Sequence, residues 1–128
     1  MITNFEHETE PLSKDELKLA EQFSMSFQKY VGPTNAITNK QIQLNYQNSR
    51  GKKISDTRIR KIINHIRVTG MVSGLVASSK GYYISRDPEE LKRYIQSLDD
   101  RIMAISAVRN KTKHYLNLLT QKPDPKLF

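Results

Sequence analysis

The stretch from Ser55 to Thr69, SDTRIRKIINHIRVT, constrains this chain more than any other. Ile59, Ile62, Ile63 and Ile66 follow the i, i+3, i+4, i+7 rule. At about 100° per residue they share one side of a helix, and that side must be covered by a core. Ser55 supplies an N-cap, Asp56 an acid for the first turn and Gly70 an exit, so the helix is expected over residues 55–69. Away from the isoleucines lie Thr57, Lys61 and Asn64, with Arg60 and Arg67 on one shoulder and Arg58 and His65 on the other. An apolar seam backed by a cationic polar face is how a recognition helix is built.

The segments on either side complete a pattern. Ser13 and Glu16 fit a capping box, and Leu17, Leu19, Ala20, Phe23, Met25 and Phe27 give a broad apolar stripe that carries a first helix to about Tyr30. Gly32 and Pro33 end it. Thr38 then caps a short second helix through Ile42 to about Tyr46, and Asn48 to Lys53, NSRGKK, reads as a loop. Beyond Gly70, apolar runs at Leu75–Ala77 and Tyr82–Ile84 flank Ser78, Ser79, Lys80 and Gly81, the spacing of a β-hairpin with Lys80 at its tip. Tyr82 and Tyr83 point to opposite faces of their strand, so at least one of them is expected to pack inward. A helix-turn-helix followed at once by a hairpin is the winged-helix arrangement. The expected fold is therefore mainly α with a small β-hairpin, a winged helix-turn-helix with an extended C-terminal helix.

That last helix starts at Asp87-Pro88-Glu89-Glu90, which offers an N-cap, proline at the first helical position and carboxylates for the dipole. Leu91, Ile95, Leu98, Ile102 and Ile105 then recur as a heptad seam, which Arg109 and Thr112 interrupt before Leu116 and Leu119 restore it. Continuous from Pro88 to Thr120, the helix would extend about 50 Å, well beyond a compact domain of about 13 Å radius of gyration. It should therefore break near Asn110 or pair with another chain, and Leu98, Ile102, Ile105, Leu116 and Leu119 are the candidates for a homodimer seam. The expected organisation is an acidic flexible tail over 1–12, a winged-helix domain over 13–108, a helix extension over 109–120 and a frayed tail over 121–128.

Charge points to a partner class. The net charge is +8, but residues 1–22 hold six acids against two bases, whereas residues 49–67 hold seven bases against Asp56 alone. Such a local positive field suits a polyanion. Cysteine is absent, which excludes disulfides, thiolate zinc sites and cysteine nucleophiles and is compatible with a reducing cytoplasm. No apolar run approaches the roughly 20 residues of a membrane span. His7, His65 and His114 are scattered without metal-ligand spacing, and no phosphate-cradling glycine loop or nucleophile elbow occurs, so neither enzyme activity nor a metal or other cofactor is expected.

The sequence ISDTRIRKIINHIRVTGMVSGLVASSKGYYISRDPEELKRYIQSLDDR resembles winged-helix proteins of bacteriophages and related mobile elements. The resemblance covers about residues 38–105 and rests on RIRKIINHIR, the Gly70 exit, SSKGYY and DPEEL. It implies a DNA-binding or replication-associated setting in the cytoplasm of a bacterial host.

On this reading Thr57, Arg58, Lys61 and Asn64 are candidates for base contacts in the major groove, where Asn can pair bidentately with adenine and Arg with guanine. Arg50, Lys52, Lys53, Arg60, Arg67 and Lys80 are candidates for phosphate contacts, each displacing condensed counterions. Double-stranded DNA is thus the expected partner, for a non-enzymatic regulator or DNA-maintenance factor. The alternative is a protein-interaction module, an inhibitor or adaptor, that holds an acidic host protein with the same basic face or the terminal helix.

Overall fold

The computed structural model describes residues 9–121. Three helices and a hairpin make up a first compact unit that extends to Leu91, and a second unit begins at Lys92. The first unit contains α1 (Lys14–Phe27), a single 3-10 turn (Pro33–Asn35), α2 (Asn39–Arg50), α3 (Asp56–Thr69), β1 (Leu75–Ser78) and β2 (Gly81–Ile84). Helix α4 (Pro88–Thr120) starts in the first unit and supplies the second.

Each helix of the first unit starts where a side chain can satisfy its leading N–H groups. Ser13 and Glu16 form a reciprocal capping box on α1, the Glu16 N–H donating to Ser13 Oγ at 3.1 Å and the Ser13 N–H to Glu16 Oε1 at 3.0 Å. Thr38 and Gln41 do the same for α2. Ser55 Oγ accepts from the Arg58 N–H at 3.1 Å to open α3, and Gly70, at φ +72°, closes it in the left-handed region that a Cβ disfavours.

The isoleucine seam of α3 is the centre of the core: Ile59, Ile62, Ile63 and Ile66 are essentially sealed from solvent. Burial of each contributes about 1.5–3 kcal/mol. They pack with Leu19, Ala20 and Phe27 of α1, Ile42 of α2, and Ile37, Val72, Leu75 and Ile84 from the connecting segments and hairpin. The α1 stripe is narrower than its sequence suggests, since Leu17 and Met25 are exposed. Relative to the buried Ala20 and Phe27, these two positions turn roughly 60° or more off the core-facing line.

The hairpin pairs Leu75 with Ile84, Val76 with Tyr83, Ala77 with Tyr82 and Ser78 with Gly81, leaving Ser79 and Lys80 at the turn. Leu75, Ile84 and Tyr82 face the core cluster, and Tyr82 meets Phe27 edge to face with ring centroids 6.2 Å apart. Tyr83 is also buried. The outer edge of β2 is not left open. Ile37 and Tyr82 exchange backbone hydrogen bonds at 2.9 and 2.8 Å, the Ile84 N–H donates to Tyr30 O at 2.8 Å, and the Gly32 N–H donates to Ile84 O at 2.9 Å. The chain between α1 and α2 thereby covers that edge with two isolated bridges, Val31 parallel to Ile84 and Ile37 antiparallel to Tyr82, on either side of the 3-10 turn. Gly81 is what permits the approach: its φ is +120°, and a Cβ there would stand 2.4 Å from Ile37 O.

Several boundaries differ from the sequence expectation. Helix α2 continues through Arg50, so Asn48, Ser49 and Arg50 belong to a helix and the connection to α3 is only Gly51 to Ser55. Gly51, at φ +68°, provides the stop that the NSRGKK composition had placed earlier. Helix α4 does not break near Asn110 but runs 33 residues to Thr120. The compact units divide after Leu91, not at 108. Residues 9–12 are not a free tail: Leu12 packs against the core, and backbone carbonyls of residues 9–11 accept side-chain hydrogen bonds from α3. Residues 1–8 and most of the 121–128 segment lie outside the described residues. Among the described residues, no helix is long and apolar enough to cross a membrane.

Candidate nucleic-acid interface

Helix α3 divides its side chains by angle. The isoleucines turn to the core, and Thr57 and Asn64 are exposed on the opposite side, with Lys61 half-buried between them. Val68 stands on the same outward line and is 76% exposed. As an apolar residue Val68 carries no charge signal, but its wheel position, about 20° from that of Thr57 after three turns, places it on this line from sequence alone. Thr57, Lys61, Asn64 and Val68 therefore form a continuous outward ridge about 16 Å long at 1.5 Å per residue.

Arg58 does not belong to that ridge. It is 5% exposed and turned toward the N-terminus of α1. Its Nε donates to Glu16 Oε2 at 2.8 Å, its Nη2 pairs with Glu16 Oε1, and its guanidinium also reaches Glu10 O at 2.6 Å and Pro11 O at 3.3 Å. The assignment of Arg58 as a base contact is thus corrected: a guanidinium sealed by a carboxylate and two carbonyls has no donor to offer a ligand. Its place on the helix explains the burial, because position 58 lies only about 40° from Ile62, at the edge of the apolar seam. The pair is felt in the titration of Glu16, whose carboxyl is held below its usual value chiefly by the Arg58 hydrogen bonds, against partial burial, which pushes it upward.

The other shoulder of α3 faces the hairpin. Burial raises the Tyr82 phenol above its usual value; the Arg60 charge, the Asn39 amide and, more weakly, Arg67 work in the opposite direction while Asp56 adds to the rise, so these groups lie within electrostatic reach of the hydroxyl. Asn39, the first residue of α2, donates from Nδ2 to Asp56 Oδ1 at 2.9 Å. Arg60 Nε pairs with Asp56 Oδ2 at 3.0 Å. This last is an exposed i, i+4 pair, which contributes only a few tenths of a kcal/mol and can open readily. The arrangement fastens the starts of α2 and α3 together, and sets two arginines within electrostatic reach of Tyr82 in the hairpin.

The remaining candidates are distributed around this frame. Lys52 and Lys53 are exposed in the short turn that leads into α3. Lys80 is exposed at the hairpin turn, where its N–H donates to Ser78 Oγ at 3.2 Å. Lys61 donates from Nζ to Thr9 O at 2.8 Å. Arg50 is drawn the other way, to Gln22 Oε1 of α1, where it borders an apolar groove between α1 and α2 floored by Leu19, Phe23 and Phe27. It does not join the basic turn of Lys52 and Lys53.

Of the dimer-seam candidates, Ile102, Ile105, Leu116 and Leu119 are exposed on α4, and Leu98 is half-buried. His65 is half-buried on α3 and His114 is exposed on α4, while His7 lies outside the described residues. Among the described residues no group of three or more histidine, aspartate or glutamate side chains is placed to hold a metal ion. Comparison with protein families, curated proteins and solved structures finds no match to this chain.

Proposed function

We propose that the chain is a non-enzymatic, winged-helix protein that binds double-stranded DNA, with α3 entering the major groove and the hairpin serving as the wing. The observation that carries this reading is the juxtaposition of three features. The outward ridge of α3 is uncommitted to the core, Arg60 and Arg67 stand on one shoulder of α3 within electrostatic reach of Tyr82 in the hairpin, and Lys80 is exposed at the hairpin turn. A duplex presents phosphates on both sides of its major groove, and cations on the helix shoulder, the preceding turn and the wing match that layout. Thr57 and Asn64 face the base edges, Val68 is suited to a thymine methyl group, and Lys52, Lys53, Arg60, Lys61, Arg67 and Lys80 neutralise phosphates. A phage or mobile-element regulator or DNA-maintenance factor in a bacterial cytoplasm is the setting the sequence resemblance supplies.

Fluorescence anisotropy with a random-sequence duplex over a salt series tests the proposal. Six phosphate contacts give a log–log slope near −5.4 and a loss of about two-thousandfold in affinity between about 50 and 200 mM salt. Changing Arg60, Lys61 and Arg67 together to Glu should remove binding while the helical circular dichroism is retained. Arg58 is left out of that variant because reversing its charge would unfold the protein. Binding unaffected by the triple change, or no binding at low salt, refutes the assignment.

A further inference from the structure

Helix α4, considered by itself, carries an apolar line with no cover. Ile95, Leu98, Ile102 and Ile105 occupy successive a and d positions of a heptad, and Leu116 and Leu119 resume the same phase after Arg109 and Thr112. No residue of α4 is buried, and Ile95, Ile102, Ile105, Leu116 and Leu119 are each more than half exposed. At roughly 100 Å² of exposed area for each of the five, two such helices could bury about 1,000 Å² from these residues alone, near the lower bound of a specific interface before flanking contacts are added. Two apolar runs in one phase on a single helix face differ from the scattered surface leucines that need no explanation.

The charges decide both the occupant and its direction. Beside the seam, Asp99 and Lys113 occupy e positions, and Arg101 and Tyr115 occupy g positions. A parallel, in-register pair would stack Arg109 on Arg109 inside the seam and would set Asp99 against Tyr94, with no opposite charges facing each other. An antiparallel pair with Ile95 opposite Leu119 and Leu98 opposite Leu116 sets each Arg109 across from the partner's Ile105 beside the two-fold, about 6 Å along the axis from the other Arg109, so the two do not stack and each stem can pack on an isoleucine while its head turns out to water. The same register sets Asp99 opposite Lys113 twice, Arg101 over the Tyr115 ring twice, and Val108 against its own copy. A second copy of the helix is therefore complementary to the first only in reverse.

We propose that α4 forms an antiparallel coiled coil with a second copy of this chain, in the register that pairs Asp99 with the partner's Lys113. The inference does not depend on the DNA-binding reading. The absence of native cysteine allows a direct test on the full chain. Under mild oxidation, the double variant Ile95→Cys, Leu119→Cys should give a covalent dimer. Ile95→Cys alone should not, because in this register the two copies of position 95 lie roughly 36 Å apart, far beyond disulfide reach. Sedimentation velocity of the unsubstituted chain should show a dimer at micromolar concentration. Asp99→Lys should weaken it roughly tenfold, and adding Lys113→Asp should restore it. A monomer up to 100-fold higher concentration, about 100 μM, would overturn the pairing. Cross-linking by Ile95→Cys alone, or failure of the double charge swap to rescue, would overturn the antiparallel register.

Discussion

Replacing Glu16 with Gln should cost this protein more stability than any other single polar substitution on its surface helices. The change keeps the shape of the side chain and removes the charge opposite Arg58, whose own side chain is 6% exposed. Breaking one partner of a fully buried pair costs about 3–5 kcal/mol because the remaining charge is stranded. Glu16 is 17% exposed and the guanidinium keeps the carbonyls of Glu10 and Pro11, so part of that loss is offset by water and by those acceptors. About 2–3 kcal/mol is expected. With a urea dependence of about 1.5 kcal/mol/M for a unit of this size, the midpoint of unfolding should fall by about 1.3–2 M. The reverse truncation, Arg58→Met, should cost less, since the freed carboxylate can hydrate and the methionine can still cover Ile62. Urea titration followed by circular dichroism measures both variants. A Glu16→Gln midpoint within about 0.3 M of the parent, where the extrapolation error lies, would refute the claim that this ion pair fixes α1 to α3.

The same pair makes stability depend on acid. The folded Glu16 carboxyl titrates below its usual value of 4.5. Its contribution is therefore fully present above about pH 4.5 and is lost as pH falls through the lower folded value. Thermal midpoints measured from pH 6 down to pH 3 should drop more steeply for the parent than for Glu16→Gln, and parallel curves would contradict the linkage. Gly81→Ala should destabilise by more than about 2 kcal/mol, because a Cβ must displace Ile37 O and the positive φ is strained, and a chemical melt checks it. Lys80→Gln should reduce the salt slope of duplex binding by about 1 without changing base preference. Val68→Ser should leave the unfolding free energy within about 0.5 kcal/mol of the parent, as expected of an exposed position, yet weaken binding to the preferred sequence once one is selected.

What the sequence made legible was what repeats locally. The isoleucine seam, the caps at Ser13, Thr38 and Ser55, the Gly70 exit and the SSKG turn are each written within a few residues of where they act. Features that depend on distant partners were not legible. Nothing local shows that Glu16 reaches 42 positions along the chain to Arg58, or that the Tyr30 to Ile37 segment closes the outer edge of the hairpin. Arg58 is the instructive case. As one of seven bases in a basic stretch it reads as part of the candidate binding face, yet it borders the apolar seam, and the structure resolves that conflict with a half-buried carboxylate. The candidate ridge was legible to the extent that helical angle alone decides exposure, which holds for Thr57 and Asn64 and fails at the seam edge.

Lys61 shows why being engaged within the fold is not the same as being lost to a ligand. Both Arg58 and Lys61 donate to the N-terminal segment, but the two bonds differ in kind. Arg58 faces a carboxylate in a closed setting, and moving it would strand two charges. Lys61 donates through one of its three N–H groups to the neutral carbonyl of Thr9 at an exposed contact. A hydrogen bond from a charged group contributes about 1.5–3 kcal/mol at most, and solvent exposure reduces it. A phosphate oxygen, itself charged, is the stronger acceptor, and the two free N–H groups can reach it without release of Thr9. Under the proposed DNA-binding reading, Lys61 can therefore contact a phosphate while still holding Thr9. Lys61→Arg should preserve binding, whereas Lys61→Met should weaken it and reduce the salt slope by about 1, with little change in folding stability. A large stability loss in Lys61→Met with an unchanged salt slope would place Lys61 with Arg58, as a residue of the fold alone.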